Sequence, residues 1–166
     1  MQLGIRLHVV NAGLGPEFQT MEARAAQART EGFSCIHLAF TKVMKGVTFD
    51  DCALTEGLAL YSKRVFANNG LDVALLGCYL NLAHPDPDKL REIQSRYYGH
   101  MRVAALMGAG MVGTETGAPN PEYKMDANTH TAEALDSFIR GLAPVVERAE
   151  RYGVTMAIEP VWKHIV

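Results

Sequence analysis

The sequence predicts an α/β fold built from parallel (β/α) repeats. Short apolar runs rich in Val, Ile and Leu alternate with longer amphipathic stretches, one unit per roughly 35 residues. Loops of Gly, Pro and polar residues divide them, and a glycine stands just before each later apolar run. Such alternation implies parallel strands joined by right-handed crossovers. An open doubly wound sheet and a closed eight-stranded barrel both satisfy it. Length alone favours the open sheet, and residues 1–166 read as a single domain.

The first strand is expected over Leu3–Val10. Its helix runs from about Pro16 to Glu31, with Phe18, Met21, Ala25 and Ala28 at helical spacing. Pro16 suits a first helical turn and Gly32 the position after the last. Strand two covers Ser34–Phe40. The helix from about Leu54 to Asn69 carries Leu54, Leu58, Tyr61 and Val65 on one stripe and stops at Gly70. Strand three, Asp72–Leu80, leads through Pro85 and Pro87 into a helix from about Asp86 to Met107. Leu90, Ile93, Tyr97, Met101 and Ala104 are its inward side. Strand four is Ala109–Thr116. The last helix, Thr131 to Tyr152, turns Leu135, Phe138, Ile139, Leu142, Val146 and Ala149 inward. Pro144 inside it removes one backbone hydrogen bond and predicts a kink or break. Strand five is Val154–Ile158, closed by Glu159-Pro160. That makes five strands and four helices.

Composition narrows the function. The net charge is −2 and no basic run occurs, so neither a nucleic-acid nor a membrane surface is expected. Cys35, Cys52 and Cys78 are odd in number and match no zinc spacing, which predicts reduced thiols in a cytoplasmic protein. No signal segment and no apolar run long enough for a bilayer is present. The loop Asn11-Ala12-Gly13-Leu14-Gly15-Pro16 has Gly-x-Gly but no third glycine, so an open-sheet nucleotide binder has weak support.

Several strand ends carry a resemblance. Leu3-Gly4-Ile5-Arg6-Leu7-His8, Glu31-Gly32-Phe33, Tyr79-Leu80-Asn81-Leu82-Ala83 and Gly113-Thr114-Glu115-Thr116-Gly117 occur in order. Ala149-Glu150-x-x-Gly153-Val154-x-Met156-Ala157-Ile158-Glu159-Pro160 completes the series. Together they resemble the xylose-isomerase-like TIM barrels, a group that includes sugar-phosphate isomerases and epimerases and an endonuclease IV branch. The resemblance implies a partial TIM barrel: about five strands and four helices of an eightfold barrel of about 250 residues or more. It implies a chain truncated after strand five, with two open strand edges through which it self-associates as a homo-oligomer.

The resemblance also implies the chemistry. The glutamate ending strand five, Glu159 here, binds a divalent metal, Mn²⁺ or Mg²⁺, and doubles as the acid/base. A proton then moves on the carbon beside a carbonyl of a small sugar or sugar phosphate, through an enediolate. In the family a second glutamate comes from strand eight, and Asp and His ligands from strands six and seven, so these residues make a partial site. Glu115 lies on the same rim, either touching substrate or hydrogen-bonding its Gly-flanked turn. His8 lines the pocket or is a satisfied inward histidine. His37, a candidate substrate-binding residue, stands where many relatives carry glutamate. Tyr79 is placed to stack on substrate, and Asn81 to shape the turn through its amide. Trp162 is a candidate pocket wall. The nuclease branch needs histidines after strands three and four, where Cys78-Tyr79 and Thr114-Glu115 stand. His84 is expected to be merely solvated; His164 either approaches the mouth or, so near the terminus, is disordered. The alternative from another class is a non-catalytic, self-associating fragment.

Overall fold

The computed structural model describes residues 2–166. Five strands, β1 (Gly4–Arg6), β2 (Cys35–Leu38), β3 (Asp72–Gly77), β4 (Met111–Glu115) and β5 (Thr155–Glu159), form one sheet. All four pairings are parallel and the spatial order is the chain order. A doubly wound sheet reverses its order at a switch point. This one never does, so the open-sheet alternative falls, and the fold is a partial TIM barrel.

The helices α1 (Met21–Thr30), α2 (Phe40–Val43), α3 (Glu56–Asn68), α4 (Pro87–Met107) and α5 (Ala132–Tyr152) lie between the strands in sequence. Thr20, Thr55, Asp86 and Thr131 accept backbone N–H bonds at four of their starts. These caps satisfy amides that have no partner inside the helix. Gly108 and Gly153 end α4 and α5 in the left-handed region, at φ +83° and +65°. Helix α5 runs unbroken through Pro144.

The main core lies between the helices and the outer face of the sheet. Ile36, Leu38, Leu76 and Val112 are fully buried there, with Ala25, Phe66, Tyr97, Met101 and Val145 on the helix side. Tyr97 donates to the Leu80 carbonyl at 2.9 Å, accepts from the Leu80 amide and lies 2.5 Å from Thr114 Oγ1. It thereby ties the exit of β3 to β4 from within apolar surroundings.

Several expectations need correction. The first strand stops at Arg6, because Leu7–Val9 turn into a 3-10 helix whose carbonyls face Arg24. Arg24 is buried and bonds Leu7, His8, Val10 and Gln19. The chain there is pulled out of extended form to satisfy a buried guanidinium. Phe40 opens the short helix α2 instead of ending β2. Pro16–Phe18 form a separate 3-10 turn, leaving Phe18 exposed. Tyr61 is exposed at its ring and bonded to Glu22. On α5, Leu135 and Ile139 are 39% and 52% exposed because no element among the described residues packs on that side.

Helix α5 approaches the β3–α4 loop so closely that a Cβ on Gly141 would collide with the Leu82 carbonyl, and Gln94 Nε2 donates to Gly141 O at 3.0 Å. Gly141→Ala is therefore expected to lower unfolding free energy by about 2 kcal/mol or more, through overpacking against backbone. A urea denaturation midpoint within error of the parent would contradict this.

Candidate active site

A parallel strand sends alternate side chains to opposite faces. On the inner face this places Arg6 at the exit of β1, His37 on β2, Glu115 at the end of β4 and Glu159 at the end of β5. Arg6 is in register with His37, and Glu115 with Glu159. Tyr79 enters from the loop after β3. Five strand ends thus deliver polar groups to one mouth.

Glu159 faces the interior. Its Oε1 accepts from Arg6 Nη2 at 3.1 Å, with side chains 46% and 55% exposed. In a flat sheet β1 and β5 would be about 19 Å apart at the usual strand spacing, beyond the reach of this pair. The contact requires a sheet curled round a shared interior.

Glu115 has different company. Tyr123 donates to its Oε2 at 3.3 Å, and His164 Nδ1 lies 3.4 Å from the same oxygen without making a hydrogen bond. His164 is 2% exposed and stacks on Tyr123, with ring centroids 4.9 Å apart. Burial lowers its pKa, and Glu115 opposes the shift only partly. Tyr123 has φ +55°, a costly conformation for a bulky residue that is held here by its surroundings. The expectation that His164 is disordered is overturned. Ile165 N donates to Gly117 O, and Val166 is bonded in both directions to Thr116 Oγ1. These bonds fold the segment after β5 back onto the exit of β4.

On the other side of the mouth, Tyr79 Oη lies 2.9 Å from His37 Nε2. Gly77 makes the pair possible, since a Cβ there would stand 2.6 Å from the Tyr79 ring and 2.8 Å from Nε2. Burial, then the Arg6 charge, holds His37 down to about 4, and burial, then Glu159, pushes Tyr79 up to about 12. Both are neutral hydrogen-bonding groups at neutral pH.

His8 sits in the 3-10 turn beyond β1, half-buried, with Nδ1 unpartnered. Burial, then Arg6, Lys42 and Arg24, lowers its pKa. Asn81 accepts from the Ala83 and Ala118 amides and donates to the Ala118 and Asn120 carbonyls, stitching two rim loops together. His84 makes only a local bond, from the Asp86 amide. Trp162 is 79% exposed. Arg6 and Tyr123 are the groups that sequence reasoning missed. An arginine inside an otherwise apolar strand was the available signal for the first. Tyr79, Glu115 and Tyr123 also line a cavity of about 350 Å³ that runs outward past Lys42, Phe49 and His100. A larger one, of about 440 Å³, lies between α1 and the loop after α2, away from the strand ends.

A divalent metal needs several donor side chains brought together. Among the described residues no three or more His, Cys, Asp or Glu side chains stand together as a metal group. Glu159 and Glu115, in register and open to the interior, are hard oxygen donors of the kind Mg²⁺ and Mn²⁺ prefer. Two donors are fewer than such an ion takes, so the described residues alone do not make a metal site.

The xylose isomerase-like TIM barrel family matches residues 25–166, and the chain belongs to it. None of the curated proteins matches it in sequence. Solved structures share the fold at low identity. A D-tagatose 3-epimerase-like protein has a TM-score of 0.70 at 14% identity, over 100% of this chain and 56% of its own. The IOLI protein, with a bound zinc atom, has 0.69 at 17%, over 100% and 54%. D-Psicose 3-epimerase from Clostridium cellulolyticum H10, with D-tagatose, has 0.66 at 16%, over 94% and 51%. The chain spans about half the length of these relatives. No helix among the described residues is long and apolar enough to cross a membrane.

The His37 imidazole is expected to stay neutral as pH falls from 7 to about 5, because its pKa is depressed from the usual 6.5 to about 4. Between those two values the unfolded chain binds the proton better, so this group's contribution to stability falls as pH drops through that window. Ring resonances followed by NMR that titrate near 6.5 would contradict this.

Proposed function

We propose that the mouth serves a sugar isomerase or epimerase reaction, in which a proton moves on the carbon beside a carbonyl of a small sugar or sugar phosphate. The observation that carries this reading is Glu159, a carboxylate at the end of the fifth strand that faces the interior beside Glu115. The family and the sugar epimerases among its structural neighbours supply the substrate class.

Glu159 would hold a divalent cation, Mn²⁺ or Mg²⁺. Such an ion, when bound, stabilises negative charge developing on the sugar oxygens. Glu159 is also the group to accept the proton from carbon, being the more exposed of the two carboxylates at the mouth. His37 and Tyr79, both neutral, offer hydrogen bonds to sugar hydroxyls without adding charge. Glu115, braced by Tyr123, bounds the opposite side, and His8 the rim beyond β1. Since the chain spans about half the length of its neighbours, the remaining ligands and the second acid/base would come from elsewhere.

Titration with Mn²⁺ should show one binding site, which Glu159→Gln weakens about tenfold or more. In D₂O with Mn²⁺ and D-tagatose or D-fructose, any loss of the C3–H signal should fall about 100-fold in the same variant. Absence of Mn²⁺ binding, or binding unchanged by Glu159→Gln, overturns the reading.

A second reading rests on the outer face of α5 and the free edges of β1 and β5. Leu135 and Ile139 on α5 and Ile158 on β5, the last strand of the sheet, are each exposed. Exposed apolar surface beside an unpaired strand edge favours pairing with a second copy of this chain. Light scattering at micromolar concentration is expected to give a dimer or larger species. A monodisperse monomer removes this reading.

A further inference from the structure

The cavity of about 350 Å³ shares Tyr79 and Glu115 with the mouth, the first just after β3 and the second at the end of β4. The rest of its charged lining comes from helices: Lys42 on α2 and Arg96 on α4. Lys42 is exposed and forms no ion pair among the described residues. Arg96 gives Nε to Asp51 at 3.1 Å, and its terminal nitrogens make no hydrogen bond among those residues. Both charges reach the site. Lys42 helps lower the pKa of His8, and Arg96 opposes the upward push of burial on the Cys78 thiol. The single acid of the lining, Glu115, already accepts from Tyr123.

His100, also in the lining, is 4% exposed. Its Nδ1 donates to the Arg96 carbonyl at 2.8 Å, and burial holds its pKa down to about 4. The ring is therefore neutral at neutral pH, with Nε2 left to accept a hydrogen bond from a hydroxyl. A neutral sugar has no use for two cations that lack a full set of partners. Lysine and arginine are the side chains that hold phosphate and carboxylate. We propose that this cavity takes the far end of the sugar chain and that this end is anionic, a phosphate or carboxylate held by Lys42 and Arg96, with His100 accepting from a neighbouring hydroxyl. The inference rests on the reading of the mouth as a sugar site. It narrows the substrate to sugar phosphates or sugar acids and makes Lys42 and Arg96 specificity-determining residues. It places no demand on a metal, because side chains hold the anion.

The test is calorimetric binding of D-fructose, D-fructuronate and D-fructose 6-phosphate, which differ only at the last carbon. They are titrated into the whole chain and into Lys42→Gln, Arg96→Gln and Lys45→Gln. The parent should bind at least one anionic sugar about tenfold or more tighter than D-fructose, the worth of one charge-assisted hydrogen bond. Which of the two it prefers separates phosphate from carboxylate. Lys42→Gln and Arg96→Gln should each lose most of that preference while D-fructose binding is unchanged. Lys45 lines a different cavity, so Lys45→Gln should keep the preference. Arg96→Gln also loses the bond to Asp51, so Lys42→Gln, which breaks no side-chain bond, decides if Arg96→Gln fails to fold. D-fructose bound as tightly as both anionic sugars overturns the anionic subsite and leaves the sugar reading standing. So does a preference that survives Lys42→Gln or is lost equally in Lys45→Gln. If none of the three sugars binds, both fall.

Discussion

Five parallel strands added one after another, with no reversal of order, have only one face to offer their helices, and the sheet must curl about the other. Everything notable at the mouth follows from that curl. It brings the ends of β1 and β5 close enough for Arg6 to bond Glu159 across the interior. It also turns alternate residues of each strand toward a common centre, so single side chains on distant stretches of sequence become neighbours. The outer face is packed by branched apolar residues such as Ile36, Leu38 and Val112. The inner face is built from small ones, Gly77, Gly113 and Ala157, which leave room for Leu75 and for the Tyr79–His37 pair.

The mouth is electrostatically divided. Arg6, with His8 and Lys42 nearby, lies on the β1–β2 side, and Glu115 and Glu159 on the β4–β5 side. Between them Tyr79 and His37 are held neutral by burial. Two carboxylates on adjacent strands would repel if left alone. Each has its own partner, Arg6 for Glu159 and the Tyr123 hydroxyl for Glu115, so both stay ready to meet a ligand. The rim loops beside these partners are fixed by buried polar bonds at Asn81 and Arg24, whose loss would leave several backbone groups unsatisfied.

Much of this was legible in the residues. The (β/α) alternation, the order of elements and the position of Glu159 at a strand exit all follow from local patterns. The turn role of Asn81 did too, because an Asn side chain bonds its own neighbourhood. Errors arose where a distant group overrode a local preference. The strand pattern through Val10 is broken by the buried Arg24, which draws Leu7–Val10 into a turn. Leu135 and Ile139 have the spacing of buried residues, yet exposure depends on what lies opposite, and spacing carries no record of that. His164, read as disordered, is buried because Tyr123 stacks on it and Thr116 and Gly117 hold the residues beside it.

The sequence by itself determined the repeat, the parallel class and the acid at the end of the fifth strand. Those depend on periodicity and on the chemistry of single residues, which act over a few positions of chain. Only the tertiary structure decided that Arg6 meets Glu159 and that His164 and Tyr123 gather at Glu115. Those pairings join residues far apart in the chain, and they exist because the sheet curls.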